Sequence, residues 1–420
     1  MSRSEEILNQ VFSNVVQNKC IIRDSEPLME KFVPEAFPNR DDQIRSIAEA
    51  VSPVLIGRQP SNLSIYGKTG TGKTAVTRWV LSRLADKAKE NSVSNLQICY
   101  VNYRILGGPY RIIVELCKQL GIDKINKIPC SGLALGELFD RFREGLDSQK
   151  KTIILVIDEV DWCIEKERGK PQGNNLLYDL NRIQLSQSKI VIIGIANRES
   201  KEWLDAGTLS TLKTEEVHFL PYNATEIGDI LRQRANLALF GAVLDEGSIN
   251  VCAALAAAEH GDARRALNLL RVAAELAIRR NNKSITEKHV RDAENSIDFD
   301  RVIQTLKDLP AHMKALIISV FAIGETKVVD SSQHTTGRLY ETYSKLCKQM
   351  IMPPLTQRRV SQLINEMEAM GLIHAVSLNL GHYGRTKKIT LGVAPSTIII
   401  ALEEHPVYGD IIRSHLPFYA

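Results

Sequence analysis

No stretch of this 420-residue chain is apolar for the roughly 20 residues that a helix needs to cross a bilayer. The opening residues, MSRSEEILNQVF, contain two glutamates and no long apolar segment, which argues against a secretory signal. We therefore expect a cytoplasmic protein that has no membrane partner.

Paired cysteines are also lacking. The seven cysteines include no C-x-x-C pair, so their spacing predicts neither a zinc site nor a disulfide framework. Reduced and mostly buried thiols are the expectation. Internal repeats and low-complexity tracts are absent, which excludes repeat architectures.

A strong excess of charge of one sign is missing from most of the sequence. The net charge is +4 at pH 7, and the segment from Arg301 onward carries all of it. A basic segment at one end suggests a polyanionic partner, although a mildly basic solvated surface explains the charge equally well. With 44% hydrophobic and 24% charged residues, the composition is that of a globular protein of two or three domains.

Short, continuous apolar runs alternate with longer amphipathic stretches over the first half of the chain. Because these runs are rich in β-branched residues and lack polar alternation, they predict parallel strands that are buried on both faces. They lie at 62–66, 97–102, 152–158, 189–197 and 216–219. With crossover helices between them, they predict a doubly wound α/β domain over residues 1–221.

The pattern then becomes purely helical, which predicts a small helical domain over residues 222–299. Asn223 and Glu226 have the spacing of a capping box. Strong helix formers and apolar residues at helical spacing predict the helices of this domain at 225–240, 245–258, 262–280 and 284–296.

The last part of the chain, residues 300–420, has the pattern of a winged-helix domain. Two helices are predicted at 301–323 and 336–350, and a third begins near Thr356 in LTQRRVSQLINEMEAMGLI. A hairpin with glycines at its turn is predicted across 374–393. Three helices and a two-stranded wing are typical of this fold.

The segment GKTGTGKT matches the phosphate-loop pattern G-x-x-x-x-G-K-[ST] through Gly67, Gly72, Lys73 and Thr74. It follows a predicted strand and opens a predicted helix, which is the context that the motif requires. Glycines allow successive backbone N–H groups to surround phosphates, the lysine neutralises their charge, and the threonine hydroxyl binds Mg²⁺. The predicted nucleotide contacts are Gly67, Lys68, Thr69, Gly70, Thr71, Gly72, Lys73, Thr74 and Ala75.

Two carboxylates, Asp158 and Glu159, follow the apolar run ILVI. They are expected at the carboxyl end of a strand, where α/β sheets bind ligands. Asp158 is the predicted Mg²⁺-orienting residue with Thr74, and Glu159 is the predicted base for an attacking water. Taken alone, such an acidic pair is more often part of a solvated loop.

Two further polar residues are candidates for contact with the γ-phosphate. Asn197 ends the apolar run VIIGIA, where it is either a turn residue or a polar sensor between Glu159 and the phosphate. Arg264 and Arg265 open a helix and point about 100° apart. One of them can reach a nucleotide while the other stays in solvent. From the sequence alone, a pair of surface arginines is the favoured interpretation.

The motifs YGKTGTGKTAVTRWVL, LVIDEVD, GIAN, LPYNATEI and GDARRALNLLRVA, in this order, resemble those of the AAA+ ATPases of the origin-recognition and replication-initiator family. The resemblance is to the compact archaeal form and covers residues 25–410. It implies an AAA+ P-loop domain, a helical lid and a winged helix. It also implies ATP or ADP with Mg²⁺ as ligands, origin DNA as partner, and paralogous initiator subunits and the replicative helicase as further partners.

By the same resemblance, Asn197 is the first sensor and Arg264 the second, while Tyr222 and the segment 33–40 lie near the adenine. One departure concerns the position where the family offers an arginine to the ATP of a neighbouring subunit. There this chain has Gly207, within LDAGTL. Because such an arginine is worth roughly 10³–10⁵ in rate in well-studied systems, we expect only weak hydrolysis that acts as a switch.

The predicted third helix of the winged-helix domain has a polar outer face. Arg358, Arg359, Gln362 and Asn365 point away from its apolar side, and such side chains read base edges or bind phosphate in a major groove. Taken alone, a solvated helix face is at least as good an explanation. The basic wing GHYGRTKKI favours DNA binding over a solvated helix face. Its predicted DNA-binding residues are Tyr383, Gly384, Arg385, Lys387 and Lys388.

A second DNA contact is predicted from the insertion at residues 104–135, which contains Arg104, Lys124 and Lys127. For each of these residues, a plain basic loop is the simpler explanation. Two functions remain open at this point. One is an ATP-controlled initiator that binds origin DNA and helps to recruit the helicase. The other is a signal-transduction ATPase whose winged helix packs internally and has no DNA target.

Overall fold

The computed structural model describes residues 21–93, 95–123, 128–163, 175–204, 206–212, 214–241, 243–324, 335–379 and 385–415. The chain divides into two compact units, Met1–Ala293 and Glu294–Ala420. The domain boundaries at 221/222 and 299/300 stay predictions.

Five parallel strands form the sheet of the first unit, in the order β2-β3-β4-β1-β5. Every residue of the third strand is buried: Ile153, Leu155 and Ile157 belong to one core, while Ile154 and Val156 belong to the core on the opposite face. This two-sided burial explains the continuous apolar runs, and all five predicted strands are confirmed. The strands are β1 Leu63–Gly67, β2 Leu96–Asn102, β3 Thr152–Asp158, β4 Lys189–Ala196 and β5 Glu215–Phe219.

Helices cover both faces of this sheet. One core contains Ile47 and Val80 from α1 and α2, and the other contains Ile112 and Phe142 from α4 and α5. The helices on the sheet side of the unit are α1 Asp41–Val51, α2 Lys73–Glu90, α3 Tyr103–Leu106, α4 Pro109–Leu120, α5 Leu135–Ser148, α6 Asn175–Arg182, α7 Ser200–Trp203 and α8 Ala206–Leu212.

Three further helices follow the sheet: α9 Ala224–Ala238, α10 Glu246–Ala258 and α11 Ala263–Arg279. The predicted capping box at the start of α9 is confirmed, because Asn223 and Glu226 each accept a hydrogen bond from the other's backbone N–H at 2.9 Å. Each of these helices lies within two residues of its predicted bounds.

Gly261 allows the chain to enter α11 close against the end of the sheet. Its φ is +70°, and a Cβ at this position would collide with the carbonyl oxygen of Tyr222. Glycine is therefore required both by the left-handed backbone and by the close approach. One turn further, the N–H of Ala263 donates to the carbonyl oxygen of Gly70 at 3.2 Å, so the start of α11 touches the loop after β1.

The next helix, α12, runs without a break from Glu287 to Asp308. The separate helices predicted at 284–296 and 301–323 are therefore wrong in their division. The segment NSIDFD lacks glycine and proline, the two residues that most strongly disfavour the interior of a helix. Pro310 marks the true break because proline lacks the N–H that a continuing helix needs, and α13 Ala311–Gly324 follows it.

The second unit is built around α13, in which ten of the eleven positions from Met313 to Ile323 are buried. The strands β6 Ile373–Asn379 and β7 Arg385–Leu391 pair antiparallel, which confirms the predicted hairpin. Two helices that were not predicted close the same core through Ile398, Leu402 and Ile412. The remaining helices are α14 Thr336–Gln349, α15 Gln357–Ala369, α16 Pro395–Leu402 and α17 Pro406–His415.

Among the residues that the structure describes, no helix combines the length and apolarity needed to cross a membrane. Of the six cysteines that the structure describes, five are buried as thiols and Cys130 is exposed.

Candidate functional site

A cavity of about 420 Å³ lies in the first unit, between the carboxyl ends of the strands and the helices that follow the sheet. This is a usual size for a small-molecule site. Most of the predicted nucleotide-site residues line it together, although they come from distant parts of the chain. They are Thr69, Gly70, Thr71, Gly72, Lys73, Thr74, Ala75, Asp158, Glu159, Asn197, Tyr222 and Arg264.

The loop between β1 and α2 is shaped by glycine and closed by α11. Gly70 has a φ of +72°, and a Cβ there would overlap the carboxylate of Asp262. That carboxylate in turn caps α11, because its Oδ1 accepts from the N–H of Arg264 at 2.8 Å. The loop and the first turn of α11 are thus in direct contact, and one nucleotide can touch both.

Lys73 lies inside this loop and contacts the end of β4. Its Nζ donates to the carbonyl oxygens of Gly67 at 2.6 Å and Lys68 at 2.7 Å, and to Oδ1 of Asn197 at 3.2 Å. Burial lowers the pKa of Lys73 to about 8. Gly67 and Lys68 therefore hold the lysine through their carbonyls, and they do not line the cavity.

Oxygen atoms suited to Mg²⁺ meet at Asp158. The hydroxyl of Thr74 donates to Asp158 Oδ2 at 3.0 Å, and the hydroxyl of Tyr100 donates to the same oxygen. Within the described ranges, no cluster of three or more His, Cys, Asp or Glu could hold a metal on its own. The hydroxyl of Thr74 and the carboxylate of Asp158 fit Mg²⁺, which commonly takes one or two protein oxygens and completes its shell with phosphate oxygens and water.

Glu159 has a strained backbone, with a φ of +51°. A left-handed conformation costs a non-glycine residue about 1–3 kcal/mol and is concentrated at functional sites. Its N–H donates to Asp158 Oδ1 at 2.9 Å, which orients the Asp158 carboxylate at the end of β3. The predicted base therefore lies beside the predicted metal site.

Asp161 was not predicted from the sequence. Its Oδ2 accepts from the backbone N–H of Asn197 at 3.2 Å, so it fixes the end of β4. Its Oδ1 is buried without a hydrogen-bond partner in the described part of the chain, and burial raises the pKa of this carboxyl. The only signal in the sequence was its place in DEVD.

The two arginines of α11 have separate roles. Arg264 is exposed and lines the cavity. Arg265 pairs with Glu259, with 3.1 Å between Nε and Oε2, and its side chain is only 14% exposed. The expectation that the second arginine stays in solvent is therefore wrong, because an acidic residue on the preceding turn binds it.

Arg40 was also not predicted as a site residue, except as the last residue of the segment 33–40. It is 3% exposed, its Nε donates to the carbonyl oxygen of Thr71 at 3.1 Å, and its Nη2 donates to that of Leu220 at 2.7 Å. Its guanidinium lies 3.7 Å from the ring centre of Tyr222. Arg40 thus joins the phosphate loop to the link between β5 and α9.

In the second unit, α15 has the predicted two faces. Thr356 caps it, and its apolar positions Val360, Leu363, Ile364 and Met367 are buried. The opposite face is exposed and carries four polar residues that were predicted to meet DNA: Arg358, Arg359, Gln362 and Asn365.

Acidic side chains moderate this surface. Nη1 of Arg359 donates to Gln362 Oε1 at 3.0 Å and lies 3.6 Å from Glu366 Oε1. Lys387 of the wing donates to Asn365 Oδ1 at 2.8 Å and lies 3.8 Å from Glu368. The positive potential of this face is therefore confined to its N-terminal end, where Arg358 lies.

The remaining DNA-binding candidates are placed less completely. Lys388 is the neighbour of Lys387 on β7, so the two side chains point to opposite faces of the hairpin. Arg385 begins β7, and only its backbone is described. Lys124, Lys127, Tyr383 and Gly384 lie outside the described residues. Arg104 is exposed and lies over the ring of Trp162, 4.5 Å from its centre.

Three family models match successive parts of the chain. An AAA domain matches residues 57–204, a Cdc6 AAA+ ATPase-type lid domain matches 228–295, and a CDC6 C-terminal winged helix domain matches 304–401. The order is the one expected from the sequence motifs.

Whole-chain relatives agree with these models. ORC1-type DNA replication protein 1 of Archaeoglobus fulgidus is 38% identical over 94% of this chain and 93% of its own length. The ORC1-type DNA replication protein of Thermococcus kodakarensis is 39% identical over 93% of each chain. The structure of the Aeropyrum pernix ORC1 protein in complex with DNA is 35% identical and has a TM-score of 0.76, covering 93% of this chain and 99% of that one. With an AAA domain, a Cdc6-type lid and a winged helix in place, this chain belongs to the ORC1-type DNA replication proteins.

Proposed function

We propose that this protein is an ATP-controlled replication initiator that binds duplex DNA at origins. The observation that carries the proposal is the exposed face of α15, where Arg358, Arg359 and Gln362 lie opposite a buried apolar side. A helix of this kind fits the major groove, where arginine and glutamine read base edges. The Aeropyrum pernix relative, whose structure is in complex with DNA, supports the same use of the fold.

The nucleotide site supplies the control. The ammonium of Lys73 would exchange its loop carbonyls for the β- and γ-phosphate oxygens, and Arg264 would meet the γ-phosphate from α11. Tyr222 and the segment 33–40 would surround the adenine. Because the loop and α11 already touch, ATP and ADP would set different geometries of these two elements.

Hydrolysis would proceed slowly. Glu159 would orient and deprotonate the attacking water, and Asn197, held by Lys73 and Asp161, would position it relative to the phosphate. Thr74 and Asp158 would hold Mg²⁺, which supplies charge neutralisation on the phosphate oxygens when bound. With Gly207 in place of an arginine, the reaction would act as a timer of the bound state.

The further partners are those of an initiator. Association with the chromosome, with paralogous initiator subunits and with the replicative helicase would follow from binding at an origin. Besides the α15 face, we propose the wing residues and Lys124 and Lys127 as DNA contacts, the latter two from the insertion.

Fluorescence anisotropy with labelled duplexes tests the proposal. An origin-region duplex and a scrambled duplex of equal length are titrated at several salt concentrations, in ATP and in ADP. We expect tighter binding to the origin duplex, an affinity that falls steeply with salt, and a nucleotide-dependent difference of about 1–3 kcal/mol. Salt-insensitive or absent binding would instead favour the signal-transduction ATPase whose winged helix has no DNA target.

A further inference from the structure

Arg234 is a buried arginine in the wall of the nucleotide cavity. It lies on α9 and is 7% exposed. Its Nη2 donates to the carbonyl oxygen of Phe32 at 3.3 Å, and its guanidinium lies 4.6 Å from the ring centre of Phe32. No motif or spacing in the sequence distinguishes it from other arginines.

The guanidinium is poorly satisfied where it lies. Nε and Nη1 are buried and have no hydrogen-bond acceptor among the described residues. Burial also lowers the pKa of Arg234 to about 10. Burying a cation without a counter-ion costs free energy, so a role outside the stability of the fold has to account for it.

Arg232, two residues earlier on the same helix, shows the ordinary arrangement. Its side chain is 40% exposed, and its Nη1 lies 3.0 Å from Asp229 Oδ1. Its Nε also donates to Glu246 Oε1 at 2.7 Å. The helix therefore carries one arginine with acidic partners in solvent and one turned inward.

The surroundings of Arg234 point to the base end of a nucleotide rather than to its phosphates. Its contacts are with Phe32, next to the segment 33–40, whereas the phosphate end of the cavity is formed by the loop around Lys73. The same cavity wall includes the apolar side chains of Val33, Pro34 and Ile230. This is a setting for a flat, largely apolar ring with a few acceptor atoms.

We infer that Arg234 is a base-recognition residue, whose guanidinium donates to a ring nitrogen of the purine of the bound nucleotide while Phe32 supports the ring. The inference rests on the proposed nucleotide binding. The ring nitrogens of a purine carry in-plane lone pairs, and hydrogen bonds from a charged donor are stronger than those between neutral groups.

The test compares Arg234→Met with the matched control Arg232→Met by titration calorimetry against ATP and against inorganic tripolyphosphate. Loss of a charge-assisted hydrogen bond is worth about 1.5–3 kcal/mol, so Arg234→Met should weaken ATP binding roughly 10- to 100-fold. Tripolyphosphate affinity should not change, and the control should match the wild type with both ligands. Arg234→Lys, which keeps the charge but loses the planar donor group, should also weaken ATP binding.

Two further readouts separate recognition from a structural role. Without nucleotide, Arg234→Met should melt at the wild-type temperature or above, because an uncompensated buried charge has been removed. ATP analogues in which one ring nitrogen is replaced by C–H should weaken binding to the wild type for at least one position, and that loss should vanish in Arg234→Met.

The inference is overturned if Arg234→Met binds ATP like the wild type, or loses ATP and tripolyphosphate affinity equally, which would mark a phosphate contact. A lower melting temperature with a uniform loss for both ligands would mark a structural residue and overturn it as well. A wild-type protein that binds no nucleotide at all would refute the proposed function itself, and the wild-type titration alone shows this.

Discussion

The ammonium of Lys73 donates to two carbonyl oxygens of its own loop, and burial holds its pKa well below the 10.5 of an ordinary lysine. These facts have opposite effects on binding. The carbonyls fix the ammonium where phosphates are expected, while desolvation favours the neutral form that cannot neutralise them. The affinity for nucleotide should therefore depend on pH near the pKa of this one group.

With a pKa of about 8, Lys73 is charged below pH 8 and loses its proton above it. We expect the dissociation constant for ATP to rise as pH increases through 8, approaching tenfold per unit when only the charged form binds. Calorimetry from about pH 7 to 9.5 measures this dependence. Lys68→Ala, which changes an exposed lysine of the same loop, should keep the profile, whereas Lys73→Ala should bind no ATP; a flat wild-type profile would contradict the assignment.

The same pKa has a consequence for stability with a definite sign. Since the folded value lies below the unfolded value of 10.5, the folded protein binds fewer protons between about pH 8 and 10.5. The contribution of Lys73 to the free energy of unfolding is thus least favourable below pH 8 and improves as pH rises through this window.

Tyr100 affects the metal site through Asp158. Its hydroxyl and that of Thr74 donate to the same carboxylate oxygen, so Tyr100→Phe removes one of two orienting bonds. Residues that orient a metal ligand typically contribute 10- to 100-fold to metal affinity. We therefore expect Tyr100→Phe to require about tenfold more Mg²⁺ to support ATP binding. A Mg²⁺ titration at fixed ATP measures it, with Tyr178→Phe on α6 as control. Unchanged Mg²⁺ dependence in Tyr100→Phe would remove Tyr100 from the site.

At the scale of residues, the members of the site could be predicted from the sequence only where a motif marks them. The phosphate loop, Asp158, Glu159 and Asn197 were found because their spacing is tied to strand ends. Arg40 and Arg234 were not singled out, because a buried arginine and a surface arginine look the same in a sequence. In ILRQRAN, nothing local decides that Arg232 meets solvent and Arg234 the cavity.

At the scale of elements, strands were easier to predict than the ends of helices. A strand buried on both faces, such as β3, requires apolar residues throughout its central part, and this continuous run is visible in the sequence. The course of α12 has no such mark, because NSIDFD is a largely exposed segment of weak helix formers that contains neither glycine nor proline to end the helix. The helices α16 and α17 were missed because their apolar segments are short. The signal that could have found them is the proline with which each helix begins, Pro395 and Pro406.

The exposed face of α15 leads to a prediction for Arg358. This side chain lies at the N-terminal end of the face, whereas Arg359 is held by Gln362 and Glu366. We expect Arg358→Ala to weaken binding to origin and scrambled duplexes alike, and to reduce the slope of log affinity against log salt by about one, as for a lost phosphate contact. Anisotropy titrations over a salt series measure both quantities.

The control for Arg358 is another exposed arginine of the same unit. Arg413 on α17 pairs with Asp410 at 2.8 Å, and Arg413→Ala removes the same charge from a different surface. Equal losses in the two variants would mean that only net charge matters and that α15 has no special role. Unchanged binding in Arg358→Ala would place the DNA elsewhere.

At the scale of the whole molecule, a single chain supplies all the parts of the nucleotide site. The phosphate loop, the ends of β3 and β4, the link to α9 and the start of α11 all line one cavity of the first unit. We therefore expect nucleotide binding to need no second copy. A second copy could still contribute an arginine to hydrolysis, and the sequence resemblance places Gly207 at the position from which the family offers one.

The absence of that arginine predicts how the hydrolysis rate depends on concentration. The helix α8 consists of AGTLSTL, and Gly207 within it is exposed and has no side chain to reach a neighbouring site. An arginine supplied in trans is worth roughly 10³–10⁵ in rate, so its loss leaves each chain to hydrolyse ATP slowly and alone. We expect the rate per chain to stay constant over about a 100-fold range of protein concentration, with and without duplex DNA, as measured by phosphate release.

Glu159→Gln, which should abolish the rate, verifies that this site is the one observed. Gly207→Arg extends the test, because its rate per chain should rise with concentration wherever copies meet in the family's arrangement. A wild-type rate that itself rises with concentration would show that another residue takes the place of the missing arginine.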